Sequence, residues 1–378
     1  MEGNAVTVTL EPDAIYSFTT TTGQHKGSVE DIPPANDFTL PYREDFEACQ
    51  PGRAPKYLSD QAGVFEVAKR DDGEGQCLRQ VIGAKTIDWS PMEWPCSLVG
   101  SKAWTNYEVS LDARIGAGRV ARLLARANRR DPIEGNQGTA YALSLGSDGR
   151  WDLSVVSTDD VLASGVVAVT PDTWRTLKLR CHGPQLAAFV DGTEVARVVG
   201  LAFRSGMVGV GAGGWYEADF DNLRVDPVSE PDPVLENLAG NATISTSSSW
   251  SHEFDSSRAN DGNLQTRWNA ARGCSTNEWL ELDFGRKVRL DTVSVQQFGA
   301  RIKKYKIQSF DGNQWDDVVS RERKRQTRWI DTFAPVETRK LRLVVMAVAG
   351  LPPEKNTPGI YEIEAYDTSS ITQKSGHP

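Results

Sequence analysis

Apolar and polar residues alternate along nearly the whole chain, and no long segment repeats its apolar positions at helical spacing. Residues 107–113 (YEVSLDA) alternate strictly, which predicts a half-buried strand. Residues 140–145 (AYALSL) and 151–156 (WDLSVV) flank Ser147-Asp148-Gly149, a turn sequence that predicts a hairpin. The pattern returns over 174–190 (WRTLKLRCHGPQLAAFV), with Gly183-Pro184 at one turn and Asp191-Gly192 at the next. Many short strands at this spacing predict an all-β chain built of sandwiches or jelly rolls.

The opening stretch AVTVTLEPDAIYSFTTTTGQHKG, residues 5–27, predicts two further strands joined by Glu11-Pro12-Asp13. A lone hairpin is marginal in water, so residues 5–22 are expected to dock on the sandwich spanning 38–226. Residues 227–239 (PVSEPDPVLENLA) carry three prolines and three acids and read as a linker. A second all-β block covers 240–367, and the polar stretch 368–378 reads as a disordered tail. Nothing repeats at 20–50 residues, which excludes a solenoid or propeller.

Among 378 residues, 42 Lys+Arg stand against 51 Asp+Glu, a formal charge of −9 that argues against nucleic acid as a partner. No apolar run reaches the ~18–20 residues of a membrane span, and the N-terminus shows no secretory leader pattern. Five widely spaced cysteines (49, 77, 96, 181, 274) form no C-x-x-C pair and read mainly as buried thiols, with one disulfide among the first four left open. Eleven tryptophans and nine tyrosines suit sugar stacking as well as core packing. Arg321, Arg323, Lys324, Arg325 and Arg328 could form an anion site; strand alternation reads them instead as a solvated face.

The motifs YSFTTTTGQHKGS, LPYREDFE, APKYLSDQAGVFEV, LRQVIG, WTNYEVSLDARI and ADFDNLRV follow one another from about residue 5 to 226. In that order they resemble the C-terminal half of galactosylceramidase, glycoside hydrolase family fifty-nine. The resemblance implies a concanavalin/laminin-G-like lectin sandwich at 38–226, with residues 1–37 as remnant strands of a preceding sandwich and the catalytic barrel upstream of this chain. It also implies a calcium ion held by Glu47, Asp221 and a carbonyl near Gln76. Glu217, Asp219 and Asp221 would share one strand face. Concanavalin-like glycosidases carry a second glutamate where this chain has Asn222, so no catalytic residue is assigned.

SSRANDGNLQTRWNA, NEWLELDFGRKVRLDTVSV, RIKKYKIQSFDGNQWDDV, ETRKLRLVV and GIYEIEAY resemble the discoidin, or factor V/VIII type C, domain. This is the galactose-binding-like jelly-roll sandwich of carbohydrate-binding module family thirty-two. The resemblance implies a structural calcium ion with side-chain ligands Asp261, Thr266 and Glu362 and carbonyl ligands Arg258, Asn263 and Tyr361. Such oxygen-rich loops suit a hard cation. Sugar candidates at the loop end are Trp250, His252, Glu253, Gln297, Arg301 and Trp329, an aromatic face with hydrogen-bonding neighbours. Trp250 and His252 read equally well as plain loop residues.

The reading is therefore a non-catalytic protein of two calcium-stabilised lectin-type modules, with galactose-type glycans as ligands and an associated glycosidase domain as partner. By resemblance it is expected to be secreted, or held in a lysosome-like compartment. The alternatives are a galactosylceramidase-type enzyme and a cell-surface adhesion module.

Overall fold

The computed structural model describes the chain except for residues 1–6, 13–15, 17, 19–35, 86–92, 129–138, 157, 159, 324–325, 350–355 and 374–378. The chain divides into two compact units, residues 1–37 and residues 38–378. In the first unit, residues 7–12, 16, 18, 36 and 37 are described and none lies in a strand. Leu10 and Phe18 are largely exposed, so the alternation there serves no buried face. This corrects the expected strand over 7–10. The rest of that hairpin, and its docking, lie outside the described residues.

Residues 38–227 form two facing antiparallel sheets. The first runs Thr193–Val199, Gln185–Val190, Trp174–His182, Tyr107–Arg114, Ala218–Pro227, Gln76–Gln80 and Phe65–Lys69, with Tyr42–Glu44 also pairing Ala218–Pro227. The second runs Asp160–Val166, Arg150–Val155, Thr139–Gly146, Val120–Asn128, Met207–Ala212, Cys96–Val99 and Ser59–Ala62. Alternation translates directly: Tyr107–Arg114 buries every second side chain against the opposite sheet. Met207–Ala212 is buried at every position, because Trp94, Leu98 and Leu124 cover its outer face. Gly211 lies beneath that indole, and a Cβ there would come within 2.8 Å of the ring. All five cysteines are free thiols.

The second sandwich is one sheet folded over on itself. Two long strands, Glu278–Gln297 and Arg328–Val348, pair with each other, and their register breaks between Asp283 and Val288. Thr243–Thr246 adds to the early half of Glu278–Gln297, and Gly359–Tyr366 to its late half. Ile302–Phe310 and Trp315–Glu322 extend the other edge. Leu280, Leu282, Val293, Val295, Leu341 and Ile363 from both halves meet in one core.

The segment read as a linker is a strap. Val228 N donates to Asn106 O at 3.2 Å, Arg180 pairs with Glu230 at 2.7 Å, and Pro233–Val234 pair with Thr372–Gln373. Asn237 Oδ1 accepts from Ala365 N at 3.1 Å. The expected disordered tail is also tied down as far as Gln373: Thr368 N donates to Asp291 Oδ1 at 3.0 Å. On the outer face of Glu278–Gln297, Thr292 and Ser294 are 2% exposed. Arg328, hydrogen-bonded to Ser294, donates across to Ala202 O of the first sandwich at 3.2 Å.

Candidate functional site

At one end of the second sandwich, four loops converge. Ser247–Asp255 is pinned by Trp268 Nε1 donating to Ser248 O at 2.9 Å and by Trp250 N donating to Asn269 O at 2.8 Å. Asn269 Nδ2 donates to Thr357 Oγ1 at 2.8 Å, and Phe298 N to Gly359 O at 2.9 Å. On this fixed backbone the Trp250 side chain stays 46% exposed, and His252 and Glu253 are exposed on the adjoining 3₁₀ turn.

Beside them lie two guanidinium groups. Arg267 sits 3.9 Å from the centre of the Phe298 ring and 4.6 Å from that of Phe254. Arg301 sits 4.3 Å from the same Phe298 ring and donates to Thr357 O at 3.2 Å. Burial, and then the charge of Arg267, lowers the Arg301 pKa below its ordinary value. Indole, hydroxyl-binding guanidinium and imidazole on a rigid loop end can stack a sugar face and hydrogen-bond its rim. Arg267, Phe254 and Phe298 were not singled out from the sequence. Phe254 and Phe298 adjoin the sugar candidates Glu253 and Gln297 in sequence, and only the folding of the two loops onto Arg267 brings the two rings together.

Two sugar candidates are corrected. Trp329 is 2% exposed and stacks on Tyr305 at 4.8 Å inside the core, because its strand register sets it opposite Val295. Gln297 is 1% exposed. Its amide donates to Gln326 O at 2.7 Å and accepts from Ile302 N at 2.6 Å, so it braces the turn and faces no ligand.

The residues of the first expected cation set are engaged with protein donors. Asp221 accepts from Arg70 Nη1 at 2.8 Å through one oxygen and from Asn222 N at 2.7 Å through the other. Gln76 Nε2 lies among the carbonyls of Phe46, Glu47 and Cys49 at 3.1, 2.9 and 3.3 Å. Glu47 Oε1 accepts from Gln76 N at 2.7 Å, an approach open because Gly75 has no Cβ, which would meet that oxygen at 2.2 Å. Both Asp221 oxygens and Glu47 Oε1 thus have protein donors, and Arg70 supplies positive charge beside Asp221. Asp219 is likewise held by Arg79 at 2.6 Å, leaving no open carboxylate pair there for glycoside hydrolysis.

The second set is different. Thr266 Oγ1 lies 2.7 Å from Asp261 Oδ2 and 2.9 Å from Asn263 O. Glu362 is 7% exposed, accepts from Gly262 N at 3.1 Å, and has its pKa pushed up to about 7 by burial, then by Glu364 and Asp261. Arg258 Nη1 stands 3.9 Å from Asp261 Oδ2. This cluster is short of positive charge, and its oxygens fit a hard cation.

Two domain families match, in the expected order. Residues 60–228 match the galactocerebrosidase C-terminal lectin domain. Residues 243–362 match the F5/8 type C domain. Galactocerebrosidase of Mus musculus is 29% identical over 228 residues, covering 58% of this chain and 33% of the relative. That of Canis lupus familiaris is 29% identical over 238 residues, covering 58% and 34%. The chain thus spans about a third of the length of these curated relatives. Among solved structures, chitosan-binding module 1 of a Paenibacillus sp. IK-5 chitosanase/glucanase is 26% identical, covering 35% of this chain and 99% of that one, with a TM-score of 0.32. The family 32 CBM of C. perfringens NanJ, in complex with galactose, is 18% identical, covering 35% and 100%, with a TM-score of 0.32. No helix among the described residues is long and apolar enough to cross a membrane.

Proposed function

We propose that this chain is the glycan-binding portion of a galactocerebrosidase-like protein, and that it binds galactose-type sugars at the loop end of its F5/8 type C domain. One observation carries the reading: exposed Trp250 sits on the same pinned loop end as Arg267 and Arg301, whose guanidiniums share the Phe298 ring. Trp250 offers the stacking face; Arg301, Arg267 and His252 offer donors to ring hydroxyls. A weakly bound sugar on a rigid module would raise substrate concentration for an attached glycosidase domain. The match to galactocerebrosidases over about a third of their length supports that partnership.

Calcium belongs to the proposal at one site only. Asp261, Thr266 and Glu362, with the carbonyls of Arg258, Asn263 and Tyr361, would hold it, and the ion would neutralise the carboxylates and fix the loop. The support is the oxygen cluster around Asp261 and the raised Glu362. A glycan array run with calcium and with chelator tests both parts. Binding of terminal galactosides that weakens in chelator is expected; no glycan bound in either condition would end the carbohydrate reading.

A further inference from the structure

Between the two sandwiches lies a cleft of about 810 Å³, within the range of pockets that hold small ligands. Its geometry is fixed rather than incidental. The strap at 228–234 is hydrogen-bonded to the lectin domain, Arg328 bridges to Ala202, and buried Arg126 gathers Phe203 and Gly183 through their carbonyls at 3.0 and 2.8 Å. One wall is Asp160, Val161 and Leu162 with Arg197 and Phe203; the other is Arg321, Arg323 and residues 328–332, with Arg289 and Thr368.

Arg321, Arg323 and Arg328 of the basic cluster that the alternation pattern assigns to solvent line this cleft, while Lys324 and Arg325 lie outside the described residues. The charges divide by depth. Asp331 is sunk: Tyr305 Oη donates to it at 2.6 Å and Arg323 Nη2 at 2.5 Å. Asp291 is also buried and taken up by Thr368 at 3.0 and 2.8 Å. By contrast, Arg321 and Arg197 are half-exposed, and Arg289 and Arg328 about one-third exposed. Arg321 reaches only 3.6 Å from Asp331, a carboxylate already occupied. Arg197 is taken up by Glu194 at 2.6 Å, Arg289 by Asp367 and Arg328 by Glu364. Among the described lining residues, Arg321 is thus the guanidinium with no close carboxylate of its own, and Asp160 is an accessible carboxylate in that lining. Exposed Val161 and the Phe203 ring add apolar surface to the cleft.

We propose that this cleft is a second ligand site, distinct from the loop end, that binds a short acidic oligosaccharide through Arg321. Guanidinium groups pair with carboxylate and sulfate alike, so the sugar acid can be a uronate or a sulfate ester. The choice of a glycan over other polyanions rests on the carbohydrate-binding reading.

Calorimetry on the full chain tests it with three probes of equal length: a heparin-derived sulfated tetrasaccharide, an oligogalacturonate and a neutral galacto-oligosaccharide. Arg321→Glu and Val161→Glu change exposed positions, and thermal melts verify their folding. Binding of at least one acidic probe is expected, weakened about tenfold or more by either variant, unchanged by Trp250→Ala, and weakened by salt. The acidic probe that binds identifies the anion. Unchanged affinity in both variants, equal binding of the neutral probe in the cleft, equal competition by tripolyphosphate, or no acidic binding would each overturn the proposal. Acidic binding lost in Arg321→Glu while no neutral glycan binds anywhere would reject the loop-end site and leave this one standing.

Discussion

Arg328 Nη1 in the F5/8 type C domain donates to the main-chain oxygen of Ala202 in the lectin domain at 3.2 Å. The same guanidinium is anchored by Glu364 at 3.3 Å, so a charged group fixed in one sandwich satisfies a carbonyl of the other. Two stable cores, one on each side, are thereby joined through a polar contact.

Removing that contact should uncouple them. Arg328→Ala is expected to lower stability by roughly 1–3 kcal/mol, since it strands a carbonyl and loosens Glu364. It should also split one calorimetric transition into two. A single transition at the wild-type midpoint would show that the strap alone holds the sandwiches together.

Glu362 gives a pH signature. Its pKa is raised from 4.5 to about 7, so the folded chain binds this proton more tightly than the unfolded chain. The stabilisation is complete below about pH 4.5 and is lost as pH rises to about 7, at a cost of up to about 3 kcal/mol. In chelator, wild-type melting temperature should fall across that window relative to Glu362→Gln. Calcium should reverse the trend by favouring the ionised form. Parallel pH profiles of wild type and variant would remove Glu362 from the argument.

Two tryptophans should behave oppositely. Trp250→Ala, at an exposed loop position, is expected to reduce galactoside binding by about tenfold or more while leaving the melt unchanged. Trp329→Ala should cost about 3–5 kcal/mol by opening a core cavity. Titration calorimetry beside thermal melts separates the two, and intact galactoside binding in Trp250→Ala would move the sugar site elsewhere.

Arg70 stands in for a cation at Asp221. Arg70→Ala should destabilise the lectin domain by about 3–5 kcal/mol, because a buried carboxylate loses its charged partner. Chelator should not alter the melting of this domain. A chelator-induced drop that persists in Glu362→Gln would restore a metal to the lectin domain.

Much of this architecture is legible in the residue pattern. The 107–113 alternation, the Ser147-Asp148-Gly149 hairpin and the turns at 183–184 and 191–192 all appear where strand periodicity and turn chemistry place them. At the candidate sites the pattern separates less well. Trp250 and Arg301 lie at the loop end, while Trp329 and Gln297, each at one end of a long strand, face inward. That Glu47 meets Gln76 and Asp221 meets Arg70 is not visible in sequence, because the partners are 29 and 151 residues away.

The sequence by itself determined local matters: strand alternation, turn positions and two independent hydrophobic cores, because each depends on residues a few positions apart. Tertiary structure decided which outward faces are truly outward. Period-two alternation records that Thr292 and Ser294 point away from their own core, but not that a second sandwich covers them. It likewise marks 321–328 as basic, but only the packing of Arg323 on Asp331 and Tyr305, with Arg321 left facing the lectin domain, turns a solvated face into the wall of a cleft. Charge pairing across 100 residues or more depends on register and docking, which no short window of sequence contains.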